Sequence, residues 1–235
     1  MRKVLFWDFD GTLVRPEHIW SRSLFAALDK LTYGIALEEV RAQLSSSYTW
    51  HFPDSHYPDH AGEKWWPLFY SQLGPLYDIY DLTQEERDGV NSALRSCILD
   101  AANYRLYDDA VSVLTACTNL GYKNYMLSNN YPELPYVVEA MGIGHFFEKV
   151  IASAQVGYEK PRPELFAYAL GAANDPEIRY MIGDNPVADM KGGKAAGMTT
   201  ILVHKPPCPE ADYTCAQLSD IPDILKRHEE KAPAL

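Results

Sequence analysis

The sequence predicts an α/β protein, a doubly wound parallel sheet carrying a helical insertion. Three observations lead to that expectation. The chain opens on a short apolar run, Val4-Leu5-Phe6-Trp7, flanked by charge and followed by Asp8-Phe9-Asp10-Gly11; such a run reads as a buried strand. Beyond Tyr104, short apolar runs alternate with segments of helical period over short connections, the rhythm of a parallel sheet covered on both faces. Between Pro16 and Tyr104 the strand-like runs vanish and helical spacing takes over.

At the first strand, Asp8 and Asp10 are two residues apart, so in extended chain they point the same way. Gly11 lets the backbone turn away. Two carboxylates facing one spot repel each other, and a bound divalent cation is the usual offset. In the insertion, Ile19–Leu31, Leu37–Leu44 and Gln84–Ala101 carry helical spacing, and Thr83 followed by Glu86 reads as a capping box. Tyr48–Tyr70 is dense in aromatics and His, and Pro53, Pro58 and Pro67 break any continuous helix across it. It is expected to form an elaborate loop. Trp50, His51, His56, His60, Trp65 and Trp66 either line a pocket there or, for the aromatics, fill a small core. The three histidines lack zinc-ligand spacing.

After Tyr104, Asp108 or Asp109 caps a helix that runs to Leu120 and closes at Gly121. A strand at Asn124–Leu127 ends in Ser128-Asn129-Asn130, and a helix at Glu133–Met141 stops at Gly142. Val150–Ala152 is a short strand. The loop Gly157–Pro163 leads into the helix Glu164–Ala173, with Pro163 suited to its start. The strand Tyr180–Ile182 ends in Gly183-Asp184-Asn185. Pro186 opens a helix that carries Asp189 and stops by Gly197, and Thr200–Val203 is the last strand. The tail from Lys226 is expected to fray. In open sheets of this kind ligands bind beyond the carboxyl ends of the strands, and those ends carry Asp8 and Asp10, Ser128 and Asn129, and Asp184. The expected organisation is a core of residues 1–15 with 105–235 and a cap of residues 16–104.

The net charge of −11 counts against nucleic acid and anionic membranes as partners. It also requires any attraction of an anionic substrate to be local. No apolar run is long enough to cross a bilayer, and the apolar run after Met1-Arg2-Lys3 ends too early for a secretory leader. Cys97, Cys117, Cys208 and Cys215 are scattered without a CxxC pair, which fits a reducing cytoplasm. Cys97 and Cys117 read as buried thiols, and Cys208 and Cys215 share a loop. The stretch Gly192–Gly197, GGKAAG, lacks the phosphate-loop pattern and reads as close helix packing. Monomer and homodimer both remain open.

Four stretches taken together resemble the haloacid dehalogenase-like (HAD) family: Asp8-Phe9-Asp10-Gly11-Thr12; Ser128 in MLSNN; Lys160 in GYEKPRPELF; and Gly183-Asp184 followed by Asp189. Singly, Ser128 is an ordinary turn residue, Lys160 a solvated cation and Asp189 a first-turn acid. The insertion's position resembles the phosphatase branch with a helical cap between the first and second motifs. The resemblance implies a Rossmann-like core and a Mg²⁺-dependent phosphatase acting on a small-molecule phosphate ester. It makes Asp8 the nucleophile, through an aspartyl-phosphate, and Asp10 the general acid and then base. The metal ligands would be the Asp8 carboxylate, the Asp10 carbonyl and Asp184, with Asp189 holding a metal-bound water or orienting Lys160. Ser128, Asn129 and Lys160 would bind the phosphoryl oxygens, assisted by backbone N–H groups around Phe9 and Gly11. Rival readings are a phosphomutase, a dehalogenase, against which Asp10 and Asp184 count, and an idle binding protein.

Overall fold

The computed structural model describes residues 2–31, 35–47 and 56–231. Six parallel strands form one sheet in the order β3-β2-β1-β4-β5-β6: β1 Lys3–Trp7, β2 Lys123–Ser128, β3 Phe147–Ala152, β4 Ile178–Gly183, β5 Thr199–Val203 and β6 Tyr213–Cys215. β1 lies between β2 and β4, with Trp7 opposite both Met126 and Ile182. Its side chains alternate between two apolar layers. Val4 and Phe6 join Leu127, Ile151 and Phe166 on one face, while Leu5 and Trp7 join the larger cluster on the other. The strand order reverses at β1, so the crevice beyond its carboxyl end is the expected ligand position.

β6 escaped the sequence reading because three residues, Tyr-Thr-Cys, are too few to show a period. β3 begins at Phe147, earlier than the apolar run suggested, since the exposed, polar Glu148 and Lys149 separate Phe147 from that run.

Between β1 and β2 lie α1 Ile19–Asp29, α2 Leu37–Ser47, α3 Trp65–Gln72, α4 Gly74–Ile79 and α5 Gln84–Leu99. α1 packs on α2 and α5. The capping box opening α5 is present, with Thr83 accepting from the Glu86 N–H and Glu86 accepting from the Thr83 N–H at 2.8 Å. Where the chain enters and leaves this segment it pairs with itself: Val14 bridges Leu106, and Arg15 N–H donates to the Arg105 carbonyl at 2.8 Å. Trp65 and Trp66 are buried, so for these two the core-filling reading holds. Trp20 joins them, its ring centroid 5.1 Å from Phe69 and 6.0 Å from Trp66. Trp50 and His51 lie outside the described residues.

The remaining helices are α6 Ala110–Asn119, α7 Leu134–Ala140, α8 Ser153–Val156, α9 Pro163–Ala172, α10 Gly192–Ala195 and α11 Ile221–Lys231. Asp109 stands at the N-cap of α6, but its carboxylate accepts from the Ser219 N–H at 2.9 Å, not from its own helix. The helix expected from Pro186 begins as a π-helical turn, Pro186–Lys191, before α10. The tail does not fray at Lys226. α11 continues to Lys231 because Glu229 pairs with Lys3 at 2.7 Å and accepts from the Tyr122 hydroxyl at 2.5 Å. Long-range partners outweigh the local charge run there. All four cysteines are free thiols, Cys117 and Cys215 buried and Cys97 and Cys208 half-buried. Among the described residues, no helix is long and apolar enough to cross a membrane.

Candidate active site

Three strand ends deliver the polar groups to one place. Asp8 follows β1 directly, its N–H donating to the Ile182 carbonyl of β4 at 2.9 Å. The chain then turns at Gly11, whose φ of 75° is the left-handed region that favours glycine. A methyl group there would also stand 2.6 Å from Asp184 Oδ2, so both conformation and space require glycine. Gly183 plays the spatial part on β4, where a Cβ would meet Asp189 Oδ2 at 2.1 Å. The two glycines let the three acid-bearing segments close on one another.

Lys160 is the centre of the arrangement. It is 2% exposed, and its Nζ donates to Asp8 Oδ1 at 2.9 Å, Asp189 Oδ1 at 2.6 Å and the Leu127 carbonyl at 2.8 Å. All three donors of the ammonium are therefore used. Asp189 Oδ2 accepts from the Asn185 N–H at 3.0 Å, so both its oxygens are engaged. Asp8, Asp184 and Asp189 each bring one oxygen within 4.8 Å of the others. An all-oxygen carboxylate set of this size suits a hard divalent cation. Asp8 and Asp184 fit as ligands, while Asp189, with both oxygens committed, fits a role behind the lysine.

The profile of the haloacid dehalogenase-like hydrolases matches residues 2–197. The chain belongs to this family. It is 23% identical over 211 residues to the human haloacid dehalogenase-like hydrolase domain-containing protein 3, covering 87% of this chain and 82% of that one. It is 36% identical over 113 residues to the phosphoserine phosphatase of Thermus thermophilus, covering 46% and 45%. Among solved structures, the YfnB protein of Bacillus subtilis, bound to magnesium, superposes with a TM-score of 0.74 at 18% identity, covering 96% of this chain and all of that one.

In this HAD-like hydrolase the acids sit under electrostatic load. Asp10 keeps an exposed surface, yet the protein packed around it, then the charges of Asp8 and Asp184, push its pKa up to about 7, although the Asn130 amide donates to it. Burial and Asp8 raise Asp184 as well, with Lys205, 3.4 Å away, opposing. Burial also drives Asp189 upward against the pull of Lys160. For Lys160, burial disfavours the ammonium, but Asp189 and Asp8 outweigh it and hold the pKa above its ordinary value. A cation among these carboxylates would relieve the repulsion.

The structure brings Asp8, Asp10, Ser128, Asn129, Lys160, Asp184 and Asp189 to one cleft of about 580 Å³. Asn129 lines the cleft and also holds the lysine loop. Its amide donates to the Lys160 carbonyl at 3.0 Å and accepts from the Lys160 N–H at 2.7 Å, so it grips the lysine's main chain. A buried turn leaves backbone groups that must find partners, and Asn129 is the partner. Asn130, which the sequence reading passed over, donates to Asp10 Oδ2 at 2.7 Å. Its signal was the run of polar residues at the β2 end. Arg41 and Trp20, also unassigned from sequence, line the cleft as well. His56 and His60 do not line it, and no metal-binding group among the described residues includes them.

Proposed function

We propose that this HAD-like hydrolase is a phosphatase that transfers the phosphoryl group of a small phosphate monoester to Asp8 and then to water. The observation that carries this reading is the single ammonium of Lys160 bridging Asp8 and Asp189 beside Asp184. It places a positive charge among the acids of the cleft. The sequence relationship to a phosphoserine phosphatase supports the same reaction class.

An oxygen of the Asp8 carboxylate attacks phosphorus in line with the ester oxygen, and the ester P–O bond breaks. Asp10, held by Asn130 and with its pKa raised to about 7, gives its proton to the departing alcohol. As a carboxylate it then takes a proton from the water that attacks the acyl phosphate. Inorganic phosphate leaves and Asp8 is restored. Ser128 donates to a phosphoryl oxygen, and Lys160 supplies positive charge on the same side. Asp8, the Asp10 carbonyl and Asp184 would hold Mg²⁺, which when bound adds positive charge at the phosphoryl oxygens. Asp189 orients Lys160. The segment 16–104 acts as a cap over residues 1–15 and 105–235, closing the cleft from the side of Trp20 and Arg41. The four free thiols fit work in a reducing cytoplasm.

Phosphate release over a panel of phosphorylated metabolites, with Mg²⁺ and with EDTA, tests the reading. Turnover that needs Mg²⁺ and disappears in Asp8→Asn is expected. Transfer of the phosphoryl group to a second hydroxyl of the substrate with no release to water would replace the phosphatase by a mutase.

A further inference from the structure

The loop that carries Lys160 is tied to the helical segment by a contact that the reaction scheme does not use. Tyr57 N–H donates to the Gly157 carbonyl at 2.7 Å, and His56 and Tyr158 form an antiparallel bridge with their rings stacked at 6.4 Å. Gly157 has φ 86°, and a Cβ on it would stand 2.5 Å from Pro58 Cα. The two backbones therefore approach as closely as glycine allows. The side chains add a second tie, in which the Tyr57 hydroxyl donates to Glu159 Oε1, with both residues buried. Burial, then the Glu159 charge, hold the Tyr57 pKa far above its ordinary value, so the hydroxyl stays a donor. Glu159 is the residue before Lys160, and Asn129 holds both the N–H and the carbonyl of Lys160.

We propose that Tyr57 and Glu159 form a positioning pair that couples the seating of the 16–104 segment to the reach of the Lys160 ammonium. The inference rests on the reading of Lys160 as the phosphoryl-binding cation. Its physical content is that the lysine loop has two anchors. Asp8 and Asn129 fix it from the strand ends and Asp189 from the π-helical turn, and Tyr57 fixes it from the helical segment. Lifting that segment pulls on Glu159 and withdraws the ammonium from Asp8. The cleft would then be fully assembled only with the segment seated.

Steady-state kinetics on the full chain with the substrate found by phosphate release would test this. Tyr57→Phe should lower kcat about tenfold with KM nearly unchanged, because a misplaced lysine costs the transition state more than binding. Glu159→Gln keeps an acceptor for the tyrosine and should retain near-normal kcat. Glu159→Leu removes the acceptor without stranding a buried charge and should reproduce the Tyr57→Phe loss, which keeps the test open if Tyr57→Phe folds poorly. Hydrogen exchange should quicken in the peptide 157–162 and stay unchanged in β1 and β4. A Tyr57→Phe enzyme with normal kcat beside an inactive Lys160→Ala enzyme would overturn the inference and leave the phosphatase reading standing. An undiminished Lys160→Ala enzyme would overturn both.

Discussion

The cleft at the strand ends and the aromatic cluster around Trp66 are built on opposite terms. In the cleft, Asp8, Asp10, Asp184 and Asp189 crowd together, and burial and mutual repulsion raise the pKa of the last three. They are held there by close backbone approach at Gly11 and Gly183 and by Lys160. In the cluster the contacts of Trp66 are of kinds that stabilise. Trp66 packs on Trp20, Phe69 and Tyr131, its indole N–H donates to Glu133 at 2.9 Å, and Arg95 lies 5.4 Å over its ring. The difference teaches where this chain carries mutual repulsion and where it gains stability: the acids of the cleft load the fold, and the aromatics hold it.

The sharpest way to break that comparison is Asp8→Asn. Turnover should fall by about 10⁴-fold or more, while the melting temperature of the metal-free protein holds or rises because one repelling charge is gone. A destabilised, still active Asp8→Asn protein would reverse the assignment of the two regions.

Asp10→Asn should cost about 10²- to 10⁴-fold in kcat, the range for a lost acid–base group. The same residue gives a pH test. Its pKa rises from the ordinary 3.8 to about 7 in the fold, so between those values the folded protein holds a proton that the unfolded chain has released. The contribution of Asp10 is thus fully present below 3.8 and is lost as pH rises to about 7. Thermal melts of metal-free protein should show a shallower loss of stability over that window for Asp10→Asn than for the natural sequence. Mg²⁺ should flatten the loss in the natural sequence.

The cluster is probed by Trp66→Ala, which should destabilise the protein by about 3–5 kcal/mol in a denaturant titration. Its kcat per folded molecule should change little. The smallest effect is expected for Thr83→Ala, which removes the cap of α5 at a cost of about 1 kcal/mol without a kinetic signature.

Much of this was legible beforehand. The apolar run of β1, the turn at Gly11, the capping box at Thr83 and the strand ends at Ser128 and Asp184 are local patterns, and each is found where its spacing put it. β6 was missed because it is short, and the docking of α11 because its partners, Lys3 and Tyr122, lie far away in the chain. Trp65 and Trp66 could be sorted between pocket and core only once their neighbours were known, since an aromatic side chain suits both.

Local order along the chain determined which chemical groups stand at the strand ends, because alternation and turn residues act over a few positions. Only the tertiary structure decided what each group touches. Lys160 and Asp8 are 152 residues apart, and Asp10 and Asn130 are 120 apart. Whether Asn129 or Asn130 meets an acid turns on the direction in which neighbouring side chains leave the backbone. No spacing rule reaches across such distances; packing of the sheet brings the partners together, and the hydrogen bonds then choose among the residues that arrive.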